Sequence, residues 1–260
     1  MITGVCIYGV KRPTTAMLDL VGSLASCLGS AQKSVTLTRN GGDSRKRLRI
    51  NVGQVSKGIN LPFDDYSIRL AEIEGDEDVL KNLGLYVSYV TSKTYSTLIA
   101  YSDRVSVAEF LSNGNRDRLF VAAQGSYGFA TAWGQQASFW AYAAGFQDFV
   151  ALKGDLTAKT PQGKWGVEFR SSPKSVTESS FRDIFEVNLI SRRHISREIS
   201  PGCSVQEWLN QNPCFGRLEE IANDWFRWII PRDHIRKIKD QFLSSGILEE
   251  EFVSNLDGQN

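Results

Sequence analysis

Leu85-Tyr86-Val87-Ser88-Tyr89-Val90-Thr91 and Tyr95-Ser96-Thr97-Leu98-Ile99-Ala100-Tyr101-Ser102 decide the fold class. Both runs are rich in Tyr, Val, Thr and Ile, the residues that suit a pleated, half-buried surface. Ser92 and Lys93 lie between them, and two such runs joined by a short polar link read as a β-hairpin.

Working outward, more strands precede this hairpin. Val5 to Val10 reads as a short first strand, stopped by Pro13. Met17, Leu20, Val21, Leu24 and Leu28 then recur at three- and four-residue steps, one face of a helix. Thr14 or Thr15 caps that helix, and Gly29 closes it. Ser34 to Arg39 and Leu48 to Val52 read as strands joined by Asn40-Gly41-Gly42-Asp43, residues that tolerate turn geometry. Ser67 to Ile73 is a further strand candidate, and Asp76 to Leu83 a helical turn.

After the hairpin, Val105 to Leu111 predicts a short helix ended by Asn113-Gly114-Asn115. Leu119 to Ala123 and Tyr127 to Trp133 predict strands. Gln135 to Phe149 favours helix, Lys164 to Arg170 strand, and Glu186 to Ile199 fits either. The last sixty residues read as helical. Ser204 and Glu207 have capping-box spacing. A helix over Arg217 to Ile230 would align Leu218, Ile221, Ala222, Trp225 and Ile229. Pro231 breaks it, Asp233 caps the next helix, and Gly246 ends that one. The expected fold is a single α+β domain over residues 1–260. Its sheet is mixed or antiparallel, helices pack on it, and the C-terminal part is helical. Two lobes, 1–113 and 114–260, are the alternative.

The 260 residues are 42% hydrophobic and 23% charged, a globular mix. Thirty Lys and Arg against 29 Asp and Glu leave a net charge of +1, which excludes a strongly basic nucleic-acid-binding chain but not a local patch. No apolar run approaches the roughly 20 residues of a membrane span. The apolar start has no positive segment before it, so it does not read as a signal peptide, and a cytoplasmic protein is expected. Cys6, Cys27, Cys203 and Cys214 are too sparse for a disulfide scaffold and form no C-x-x-C pair. Cys6 and Cys27 sit among apolar residues and read as buried thiols.

Several chemistries lack their obligatory parts. His194 and His234 are the only histidines, so zinc sites built on several His ligands are excluded. Each reads ordinarily as a surface or capping histidine. Ser126, in Gly125-Ser126-Tyr127-Gly128, resembles a nucleophile elbow, but Gln124 stands where its first glycine belongs. Neither G-x-x-x-x-G-K-[ST] nor G-x-G-x-x-G occurs. No Asp or Glu has Lys two positions on, the local signature of metal-dependent restriction-type nucleases; Glu168-Phe169-Arg170 comes nearest. No metal, cofactor or catalytic residue is expected.

Surface features remain. Arg45-Lys46-Arg47-Leu48-Arg49 is the strongest basic run, placed at the end of a hairpin loop. It is either solvated charge or a phosphate-binding patch. Asp64 and Asp65 precede a strand. Glu72, Glu74, Asp76, Glu77 and Asp78 place five acids in seven residues. Such a run self-repels unless it is solvated or meets a basic partner. Trp133 and Trp165 stand beside glycines near expected turns and are the tryptophans best placed for partial exposure, whereas Trp140, Trp225 and Trp228 read as core.

The hairpin Leu85 to Ser102, the stretch from Trp133-Gly134 through Trp140, and Gly163-Lys164-Trp165-Gly166-Val167 together resemble bacterial immunity proteins. The chain is similar in length and pattern to the immunity protein 52 family, in particular to TsiT-like antitoxins of type VI secretion pairs. The resemblance implies an α+β, cytoplasmic, non-catalytic protein that binds a co-produced toxin. That toxin would be a nuclease of restriction-endonuclease fold. The candidate partner-binding residues are Asp64, Asp65, Glu72, Glu74, Asp76, Glu77, Asp78, Trp133 and Trp165. The alternative function is a nucleic-acid-associated regulator using residues 45–49, and a third is an enzyme of unfamiliar type.

Overall fold

The computed structural model describes residues 1–10, 14–29, 35–39, 47–50, 66–71, 85–91, 96–134, 136–143, 178, 180–222 and 224–248. Among them, ten strands form one sheet. They are β1 (Ile2–Tyr8), β2 (Val35–Arg39), β3 (Arg47–Ile50), β4 (Tyr66–Ala71), β5 (Leu85–Thr91), β6 (Ser96–Ser102), β7 (Tyr127–Trp133), β8 (Val187–Ser191), β11 (Arg217–Ala222) and β12 (Trp225–Ile229). Their order is β11-β12-β8-β7-β1-β6-β5-β4-β2-β3, and the pairings are antiparallel. The two remaining strands, β9 (Glu198–Ser200) and β10 (Cys203–Ser204), form a separate small ladder. The expected α+β class is what the chain adopts.

The hairpin at the centre of the sequence pattern is β5–β6, in register from Leu85 opposite Ser102 to Thr91 opposite Ser96. The Val35–Arg39 and Arg47–Ile50 hairpin also forms. β1 lies between β6 and β7, so strands from before and after Asn113 are neighbours in one sheet.

All seven β1 residues are buried. Ile2, Cys6 and Tyr8 face one apolar core, and Val5 and Ile7 face the other. The sheet therefore has helices on both sides. α1 (Thr14–Cys27), α2 (Val107–Ser112) and α3 (Arg116–Ala123) supply Leu20, Leu24, Phe110 and Phe120 to the odd-numbered face of β1. α4 (Gln136–Ala143), α5 (Arg192–Ile195), α6 (Val205–Gln211) and α7 (Ile235–Ser244) supply Phe139, Ile195, Trp208 and Phe242 to the even-numbered face. A strand covered on both sides has no polar face to show, which is why β1 is apolar apart from Thr3, whose buried hydroxyl donates to the Val105 carbonyl at 2.5 Å.

Gly4 allows one of these contacts. A Cβ there would stand 2.3 Å from the Phe139 ring, so only glycine lets the ring lie on the strand. α1 ends as expected at Gly29, with φ +83°.

Four readings need correction. Leu119 to Ala123 is not a strand but the second half of α3, whose Leu119, Phe120 and Ala123 turn one face to the core. Arg217 to Ile230 is not a helix but the β11–β12 hairpin. Its apolar residues divide between two faces: Leu218 joins one core, and Ile221 and Trp225 the other. Asp233 does not cap α7. It lies in a 3-10 turn, Arg232–His234, and His234 precedes the helix. Glu186 to Ile199 is neither one strand nor one helix, but contains β8, α5 and part of β9. The Ser204–Glu207 capping box forms at α6, and the same device, Ser106 with Glu109, starts α2. The expected elements at 76–83 and 164–170 fall outside the described residues.

Candidate functional site

The side chains with chemical potential lie on the even-numbered face of β1, and they are buried. Tyr8 and Tyr127 stack at 5.9 Å between ring centres, and Tyr127 stacks on His194 at 5.6 Å. The Phe181 ring meets His194 edge-on at 5.2 Å. Arg182 is fully buried beside this stack. Its Nη1 donates to the Tyr8 hydroxyl at 2.8 Å, and its guanidinium carbon lies 3.6 Å from the centre of the Tyr142 ring. The Tyr8 hydroxyl in turn donates to the Ala143 carbonyl at 2.7 Å. The Tyr127 hydroxyl donates to the Asp183 carbonyl at 3.2 Å, and the Asp183 carboxylate pairs with Lys239 at 2.8 Å.

Burial sets the protonation of these groups. It pushes the Cys6 thiol up to about 12, against smaller opposing effects of a Tyr8 hydrogen bond and the Arg182 charge. It raises the Tyr8 hydroxyl well above its ordinary value, with the Arg182 charge opposing. It pushes His194 down to about 3; a backbone hydrogen bond with Ser180 opposes this, and the Arg197 charge adds to it. A charged form that loses its water must find equal stabilisation in the protein, and here it does not. His194 is therefore a neutral ring whose Nδ1 accepts the Ser191 backbone N–H at 3.2 Å. It is a capping histidine, as expected, but in the core rather than at the surface.

The other expected chemistries can be placed in the same way. His234 is half-buried, 3.7 Å from Asp233. Ser126 Oγ lies against the Tyr8 carbonyl at 3.5 Å, and the Ser126 N–H donates to that carbonyl at 2.8 Å. It is thus tied to the end of β1 rather than raised on a strand-to-helix turn. Cys6 and Cys27 are buried thiols as expected, Cys203 is half-buried and Cys214 exposed. Trp225 and Trp228 are core, their indole N–H groups donating to the Phe120 and Phe215 carbonyls at 3.0 and 3.1 Å. Among the described residues, no three His, Cys, Asp or Glu side chains are grouped to hold a metal ion. None of the described helices is long and apolar enough to cross a membrane.

Of the candidate partner-binding residues, Trp133 is described. It ends β7 half-buried, with ring centres 5.6 Å from Phe139 and 5.0 Å from Tyr142. It is thus a packing residue that is only partly buried. Asp64, Asp65, Glu72, Glu74, Asp76, Glu77, Asp78 and Trp165 lie outside the described residues. The six-residue strand β4 separates the Asp64-Asp65 pair from the run beginning at Glu72, so the two acidic groups adjoin opposite ends of one strand. In the basic run, Leu48 and Arg49 lie in β3 as the strand reading has them, and Arg47 begins that strand, the last of the sheet among the described residues, rather than ending the loop.

Sequence reasoning missed Arg182 entirely. Its signal is the charged pair Arg182-Asp183 enclosed by Phe181, Ile184 and Phe185. A charge in such company is either a surface break in an apolar segment or a buried group with built partners. It missed as well an ion network joining α3 to the β11–β12 hairpin, in which the buried Arg227 pairs with both Asp117 and Glu219.

The molecule is an α+β protein with a ten-stranded antiparallel sheet, among the described residues, covered on both faces. No family model and no curated protein matches the chain. The resemblance to immunity protein 52 therefore stays a likeness of sequence pattern. Among solved structures the chain is similar in fold to the Pseudomonas aeruginosa T6SS protein PA0821. The TM-score is 0.55 at 12% identity, over 96% of this chain and 74% of that one. At that identity the likeness is one of fold.

Proposed function

We propose that this chain is a non-catalytic immunity protein of a type VI secretion pair. It binds and neutralises a cognate secreted toxin, a nuclease of restriction-endonuclease fold, in the cytoplasm where that toxin would act. The observation that carries the reading is the fold shared with a T6SS protein over nearly the whole chain. The state of the interior supports it: His194, Cys6 and Tyr8 are held in neutral forms and used for packing and internal hydrogen bonds. A general base needs a pKa near working pH, and a nucleophile needs a lowered one.

The binding surface assigned to the toxin is the acidic segment flanking β4. A nuclease cleft is basic because its substrate is a polyanion. Acids at 64–65 and 72–78 complement it and speed encounter.

The test is whether a secreted toxin is encoded beside this chain and, with that toxin, co-expression scored by survival and co-purification. Charge reversal at Glu72, Glu74, Asp76 and Asp78 together is expected to lower affinity and protection. Unchanged affinity and protection would remove the segment from the interface. Failure to protect or to co-purify would remove the immunity reading. Salt-dependent retention of the chain on DNA or RNA would favour the regulator that uses residues 45–49.

A further inference from the structure

Among the described residues, β11 is the outermost strand at one end of the sheet. None of its six residues is fully buried, whereas four of the five in its neighbour β12 are. Among the described residues, the N–H and C=O groups that β11 turns away from β12 have no partner. A bulge between Glu220 and Ala222 interrupts the ladder. At the other end Gly216, at φ +114°, turns the chain out of strand geometry. The segment left for regular pairing is Arg217-Leu218-Glu219-Glu220.

We propose that this edge pairs with the same edge of a second copy of the chain, antiparallel, across a two-fold axis at Leu218. The occupant follows from the segment itself. In an antiparallel pair, residues directly opposite share a face. When two copies of one strand pair symmetrically, one residue therefore meets itself and its neighbours meet each other crosswise. Centring on Arg217 sets guanidinium against guanidinium. Centring on Glu219 or Glu220 sets carboxylate against carboxylate. Centring on Leu218 sets Arg217 of each copy against Glu219 of the other, with the two leucines between them. Gly216 then faces Glu220 and offers no side chain to collide with. The triplet Arg-Leu-Glu, read backwards, is its own complement. Arg217 has room to reach across: it is 73% exposed, and its 2.6 Å pair with Glu219 of its own chain exchanges for the Glu219 of the other, while each Glu219 keeps its bond to Arg227. Charges on an edge strand ordinarily discourage indiscriminate pairing; here they also select one register.

So short a junction falls at the small end of interface sizes, and the dimer is weak and concentration-dependent. Light scattering across a range from about 1 to several hundred micromolar is expected to show the mass climbing from 29.0 kDa toward twice that value. Arg217→Glu, at a position whose side chain is largely exposed and makes a surface pair with Glu219, is expected to hold the mass at the monomer value throughout. Leu218→Cys in a Cys214→Ser background is expected to give a covalent dimer with a short bis-maleimide linker, because opposed Cβ atoms at the axis lie about 4.5–5.5 Å apart. A monomer at every concentration overturns the proposal. So does a dimer that survives Arg217→Glu, or one that leaves the introduced thiols unlinked. The result is independent of toxin binding.

Discussion

Arg182 donates to the Tyr8 hydroxyl at 2.8 Å, with both side chains fully buried and 174 residues apart in the chain. The bond ties the first strand to the segment that leads into β8. Tyr8→Phe keeps the ring stack on Tyr127 but removes the acceptor. It is expected to cost about 1–3 kcal/mol, the penalty of a buried guanidinium and a buried Ala143 carbonyl that each lose one hydrogen bond. The midpoint of urea unfolding should fall with an unchanged slope. Arg182→Met in the Tyr8→Phe background should cost less than in the wild type, because the two side chains share one interaction. Additive losses would show that the bond contributes nothing.

His194 makes stability depend on pH. Its folded pKa is about 3, below the roughly 6.5 of an unfolded histidine. The unfolded chain therefore binds the proton more readily, and stability rises with pH wherever that difference operates. The contribution is fully present above about pH 6.5 and is lost progressively as pH falls toward 3. Between pH 7.5 and 5 the loss is expected to be up to about 2 kcal/mol. His194→Gln should flatten this part of the profile, although the variant is less stable overall for want of the ring stacked on Tyr127. Denaturation midpoints at pH 5, 6 and 7.5 for both proteins check it. Parallel profiles would rule out His194 as the source.

Gly4 and Phe139 are fitted to one another. An added Cβ at Gly4 would stand 2.3 to 2.6 Å from three ring carbons. Gly4→Ala is expected to destabilise by about 1–3 kcal/mol through overpacking. Phe139→Leu alone should cost a comparable amount through lost volume. The double variant should be more stable than the sum of the two losses allows, because the smaller side chain accommodates the new methyl. Thermal unfolding of the four proteins closes the cycle.

The elements legible in the sequence are those whose signal is local. The β5–β6 hairpin is announced by two β-rich runs, and α6 by the Ser204–Glu207 pair, where Ser204 Oγ accepts from the Glu207 N–H at 3.2 Å. α1 is announced by its apolar spacing. The β11–β12 hairpin is not legible, because a sheet buried on both faces removes the period of two from β12. Trp225, Phe226, Trp228 and Ile229 then mimic one face of a helix. Arg227 breaks the run, yet it is buried by its bonds to Asp117 and Glu219, partners no local pattern reveals. Arg182 is hidden for the same reason, since Tyr8 and Tyr142 are brought to it only by the fold.

Trp133 is the candidate interface residue that structure and sequence describe together, and its two roles can be separated. Its ring contacts Phe139 and Tyr142, and the residue is only partly buried. Trp133→Ala is expected to lower stability by about 2 kcal/mol, less than a fully buried tryptophan because the residue is only partly buried. Trp133→Phe keeps an aromatic ring for Phe139 to meet and should lose about 1 kcal/mol or less. If the exposed edge contacts the toxin, Trp133→Phe should weaken toxin binding about tenfold while remaining folded at the assay temperature. The two variants are compared by thermal unfolding and by titration against the co-produced toxin. Full affinity in a folded Trp133→Phe would assign the residue to the aromatic core alone.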